Sequence, residues 1–180
     1  MLPAKTRRRR DELLPIGLVE HHLLGDRALS SYDIAERLIP IHDAVIESAD
    51  SVAIDSKSVM IINNSVTDAL GQPVGEFVRI EDWDSLNEMI EDCGGFTEDP
   101  AHIAGWLFSS LYWDNLTACR FATAWFFTDA ILINHRMPML ELQNKDIGGF
   151  LSALSGSGPP ILDGQTFFPT QYKRETVSGG

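Results

Sequence analysis

Cysteine is scarce in this sequence: Cys93 and Cys119 are the only two among 180 residues. Two cysteines cannot staple a disulfide scaffold, and without a Cys-x-x-Cys pair they do not form a zinc ribbon. Long apolar runs are lacking as well. The most apolar stretch, Ala118 to Ile133, contains Arg120 and Asp129 and is shorter than the ~20 apolar residues a membrane span needs. No transmembrane segment is therefore expected. Nor does a signal peptide fit, because the N-terminal arginines run into Asp11 and Glu12, and Leu13-Leu14 then meets Pro15. Few cysteines and no leader point to an intracellular protein, cytoplasmic or, through its basic N-terminus, nuclear.

Signatures of chemistry are missing too. No His-Glu-x-x-His, Gly-x-Ser-x-Gly, Gly-x-x-x-x-Gly-Lys-Ser/Thr or Gly-x-Gly-x-x-Gly occurs. Ser155-Gly156-Ser157-Gly158 runs into Pro159-Pro160 instead of opening a helix, so it reads as a linker and not as a phosphate cradle. The expectation is a chain with no cofactor and no metal.

Charge is what the sequence has. There are 14 Lys+Arg against 26 Asp+Glu, a net charge of -12. Lys5, Arg7, Arg8, Arg9 and Arg10 supply five of the 14 before the first acid; removing them leaves 9 against 26, a body charge of -17. Such acidity argues against a general nucleic-acid-binding body, which needs a broad basic face. Acids cluster again at residues 81–99, where Asp84, Glu88, Glu91 and Asp92 form a ridge with no basic residue among them.

Apolar residues at 44% and charged residues at 22% are ordinary globular usage. Ser30 followed by Asp33 signals a helix start, with Ile34, Ala35, Leu38 and Ile39 at helical spacing until Pro40 interrupts; a second short helix at about 41–49 follows. Residues 16–24 are ambiguous between strand and helix. The β-branched runs Val52-Ala53-Ile54, Val59-Met60-Ile61-Ile62 and Val74 to Ile80, with a turn at Gly71-Gln72-Pro73, read as an antiparallel hairpin or small sheet over about 52–80. Two segments apolar on nearly every side, about 100–135, read as a buried helix pair. The expected fold class is α+β: a small antiparallel sheet on a mainly helical body. Residues 1–12 read as a disordered basic arm, 13–154 as a single globular domain, and 155–180 as a Gly/Ser/Pro linker and tail.

Candidate catalytic residues are His42, Asp43, Asp99, His102 and Arg120. Asp99-Pro100-Ala101-His102 sets a carboxylate and an imidazole one turn apart, although Asp99 is already explained as a helix cap. His42 and Asp43, as neighbours, face different directions on a helix. Arg120 and Asp129, nine positions apart, face opposite sides, so each needs its own partner. The leading expectation is a non-enzymatic interaction or assembly protein, of a viral or phage-like kind. Its acidic ridge (Asp84, Glu88, Glu91, Asp92) would meet a protein partner with a basic surface or a second copy. Its arm (Lys5, Arg7, Arg8, Arg9, Arg10) would meet nucleic acid, an anionic surface or a neighbouring subunit. The alternatives are an enzyme assembled from the distant His, Asp and Arg residues, and an acidic inhibitor that mimics nucleic acid.

Overall fold

The computed structural model describes residues 3–25, 29–73, 88, 91, 107, 108, 111, 118–137, 139 and 140. Four α-helices account for most of them: α1 (Ala4–Leu24), α2 (Ser31–Glu47), α3 (Ser56–Ala69) and α4 (Arg120–Asn134), with a 3₁₀ turn at Ala49–Ser51. Among the described residues there is no strand or sheet, which corrects the expected α+β class to a helical one.

The correction falls on α3. Val59 to Ile62, read as a strand, lie inside this helix. Its buried positions are Val59, Ile62, Asn63, Val66 and Thr67, a 3.6-residue period; Ile61, in the middle of the β-branched run, is 59% exposed. Asp55 fixes the start, its side chain accepting from the Ser58 amide at 2.8 Å, and Gly71 follows the end at a φ of 67° that suits glycine. β-propensity is a preference for a half-buried pleated surface, and here the burial period and the cap override it. Val52 and Ile54 belong to the connection before α3, and 74–80 lie outside the described residues.

Helix α2 begins as its sequence dictates, with Ser30 Oγ accepting from the Asp33 amide at 3.1 Å. It does not break at Pro40 but runs through to Glu47. Pro40 sits on the exposed side of the helix, away from the packed face. The buried face carries Ile34, Ala35, Leu38, His42 and Val45. Residues 16–24 resolve as helix, within α1. The arginine run also lies in α1, not in a disordered arm ahead of it.

Helix α4 is the centre. Every residue from Phe121 to Leu132 is buried, and the helix packs against α1, α2 and α3. Phe108 meets Phe121 edge-on at 5.3 Å between ring centroids, and Phe121 stacks on Trp125 at 5.8 Å. The expected burial of this apolar helix holds. Of its expected partner at about 100–113, the described residues Leu107, Phe108 and Leu111 are buried. At its end, the Asn134 amide donates to the carbonyls of Ala49, Asp50 and Val52 and so pins the 3₁₀ turn.

Candidate functional site

The arginines divide by helical position. On α1, Arg9 and Arg10 turn toward α2, while Lys5, Arg7 and Arg8 are exposed. Arg10 reaches Glu36 at 3.4 Å and lies 5.2 Å over the Tyr32 ring. Arg9 is held more tightly: Nη1 bonds Glu12, while Nη2 donates to Asp43 Oδ1 at 2.8 Å and to His42 Nδ1 at 2.7 Å. Burial works against the guanidinium charge, but Asp43 and Glu12 outweigh it and hold the Arg9 pKa above its ordinary value.

From His42 the network enters the core. The ring is 5% exposed and packs on Phe126 at 4.7 Å. Its Nε2 lies 3.0 Å from Asp129 Oδ2, and Asp129 Oδ1 accepts the Leu140 amide at 2.9 Å. Arginine has five donors and no acceptor, so His42 Nδ1 must be the acceptor of its bond to Arg9. The ring is therefore the Nε2–H tautomer and donates to Asp129. Burial raises the Asp129 pKa, against the opposing pull of the His42 and Leu140 bonds and the Arg9 charge. A continuous relay thus runs from the surface cation Arg9 through α2 to a buried carboxylate on α4.

A second buried carboxylate, Glu20 on α1, serves the start of α4. Cys119, at the N-cap, has a φ of 48° and makes no side-chain cap. Glu20 supplies the missing acceptor, taking the Ala122 amide at 2.8 Å. Burial pushes its carboxyl up to about 7, although the Ala122 and Phe121 amides and the Arg120 charge pull the other way. Burial and the neighbouring Glu20 push the Cys119 thiol up to about 12, which makes it a poor nucleophile. Asn63 ties α3 to the same corner, donating to Ala118 O at 2.9 Å and Thr123 Oγ1 at 3.1 Å.

A cleft of about 250 Å³ opens between α2 and α3 over Ile41, Val45, Ile61 and Ile62, rimmed by serines. No titratable group lines it, and the Ser48 and Ser58 hydroxyls are engaged with backbone at 2.8 and 3.1 Å. It offers apolar surface and no chemistry.

The catalytic candidates do not converge. His42 and Asp43 meet only through Arg9. Arg120 begins α4 beside Glu20, nine residues from Asp129 and so about 13 Å along the axis at 1.5 Å per residue. Asp99 and His102 lie outside the described residues, as do Asp84 and Asp92 of the acidic ridge; Glu88 and Glu91 are exposed on helix. Sequence reasoning missed Glu20 and the link from Arg9 to Asp129. The available signal was an ionisable residue inside each apolar stretch, which demanded a buried partner without naming it.

Among the described residues no cluster of His, Cys, Asp and Glu could hold a metal, and no helix is long and apolar enough to cross a membrane. Comparison with known proteins finds no match to a family model, to a curated protein or to a solved structure.

Proposed function

We propose that this chain is a non-enzymatic intracellular assembly protein, whose exposed N-terminal cations dock on the acidic surface of a second copy. The carrying observation is the division of the arginine run. Arg9 and Arg10 are consumed within the fold, whereas among the described residues none pairs with Lys5, Arg7 or Arg8. These three sit on the first turns of α1, which has no acid in its first turn and no side-chain cap. Cations at the positive end of a helix are opposed by its dipole, at about 0.3–1 kcal/mol each. That local cost has no return inside the described structure and is offset if an anion binds there.

Charge complementarity favours a second copy as that anion. The body carries -17 outside the run, and Glu88 and Glu91 are exposed on it without a basic neighbour in residues 81–99. The same excess repels a long nucleic acid beyond the reach of three cations. The enzyme reading draws little support from the buried His42–Asp129 pair, because both ring nitrogens of His42 are already occupied.

Sedimentation of the full chain tests this. Association should weaken as salt rises. Arg7→Glu with Arg8→Glu, and separately Glu88→Arg with Glu91→Arg, should each weaken it by about tenfold. Mixing the two variants should restore it, because the reversed charges again match. A monomer at every concentration, or failure of the mixture, counts against the proposal. An oligonucleotide that binds the monomer through Arg7 and Arg8 transfers the site to nucleic acid.

A further inference from the structure

We propose that His42 is a proton-operated latch on Arg9, so that the basic turn of α1 is held by the neutral ring and let go by the protonated one. Donors and acceptors decide which protonation state holds Arg9. Arg9 Nη2 stands 2.7 Å from His42 Nδ1, a distance that requires an unprotonated nitrogen, since guanidinium only donates. The other nitrogen cannot take the incoming proton: Nε2 already carries one and gives it to Asp129 at 3.0 Å. Protonation of the ring therefore occurs at Nδ1, the atom that Arg9 holds. The bond then becomes two facing donors on two cations.

The surroundings favour this direction of switching. From α4, the Asp129 carboxyl faces the ring and is fixed from its other side by the Leu140 amide; while ionised it balances an imidazolium. From α2 itself, Asp43 stands next to the ring and shares Arg9 with it. From α1 come Arg9 and, behind it, Glu12; Arg10 is taken by Glu36 and Asp11. No described residue of α3 bonds or ion-pairs with His42. With the proton on, Arg9 keeps only Asp43 and Glu12, both half-exposed, and its head group is free to leave the ring for solvent. It then joins Lys5, Arg7 and Arg8 on the outer surface. This last consequence rests on the docking surface proposed above; the latch does not.

Nitrogen-15 spectra of the His42 ring and the Arg9 guanidinium test the latch on the full chain without a partner. The spectra are compared from about pH 8 to pH 5. At the upper end the ring should be the Nε2–H tautomer, and the Arg9 Nη protons should be resolved and slow to exchange. Acidification should protonate Nδ1 and merge the Arg9 signals in the same step. An Nδ1–H tautomer at pH 8, Arg9 signals indifferent to the ring, or a ring unprotonated until the chain unfolds would overturn the latch. His42→Gln, whose amide accepts from Arg9 and donates to Asp129, should keep the Arg9 signals resolved throughout; signals that still merge in it would also overturn the latch. If this variant does not fold, the wild-type spectra decide alone. Association should strengthen on acidification about threefold more in wild type than in His42→Gln, the contribution of one added surface ion pair. A spectroscopic transition without that difference upholds the latch and leaves Arg9 outside the docking surface.

Discussion

Glu20 is a carboxyl buried at a helix start, and its protonation is coupled to folding. Its folded pKa of about 7 lies above the ordinary 4.5, so between these values the folded chain binds a proton that the unfolded chain releases. Its contribution to stability is full below about 4.5 and is lost as pH rises through 7, a difference on the order of 3 kcal/mol. Glu20→Gln keeps an oxygen for the Ala122 amide and has no proton to lose. Urea midpoints at pH 4.5 and pH 8 should show the variant matching wild type in acid and exceeding it at pH 8. Equal pH slopes in the two proteins would contradict this assignment. Cys119 belongs to the same corner. With its thiol pushed up to about 12 and buried, it should resist alkylation at pH 8 in the native chain and react once urea unfolds it.

At the scale of elements, the approach of α1 to α2 is set by Gly17. A Cβ there would clash with the Ser31 carbonyl oxygen and lie 3.3 Å from the Ala35 amide nitrogen, both of them backbone atoms that cannot turn aside. Gly17→Ala gains up to ~1 kcal/mol of helix propensity, but it forces the helices apart at a cost of about 1–3 kcal/mol. A net loss of stability in thermal unfolding is expected, and an unchanged or raised midpoint would mean that the helices are not in backbone contact. Elements are also where the sequence was most and least legible. Ser30 announced α2 because a cap is a local device, four residues reading each other. The start of α3 carried the same kind of device at Asp55, but the run Val59 to Ile62 masked it. Two of the helix's buried positions, Asn63 and Thr67, are polar, and exposed Ile61 fills the wrong face. With those three residues out of pattern, β-branching looked like the stronger signal.

Across the whole molecule, Asp129 joins two segments that sequence separates. It bonds His42 on α2, 87 positions away, and the Leu140 amide beyond the end of α4. Asp129→Ala leaves the His42 Nε2–H and the Leu140 N–H without acceptors in the core. Leaving one partner of a buried pair costs about 3–5 kcal/mol. The denaturant midpoint should fall accordingly, and near-wild-type stability would show that the relay is not a structural tie. The loss should exceed that of Asp43→Ala, which removes an exposed partner of Arg9 worth about 0–1 kcal/mol.

Features that depend on near neighbours and totals were already written in the chain. It set the net charge of -12 with its basic run and acidic body, the cap at Ser30, and the burial of the apolar segment that became α4. Packing of the helices settled the rest. It chose helix over strand at 59–62, it turned two arginines inward and left Lys5, Arg7 and Arg8 outside, and it gave His42 and Glu20 their partners. The physical reason is range. A cap or a period is written within a turn or two of chain, whereas a buried charge takes whichever partner the packing of other helices brings within 3 Å. Arg9 and His42 are 33 residues apart and Glu20 and Ala122 are 102 apart, so no local rule connects them.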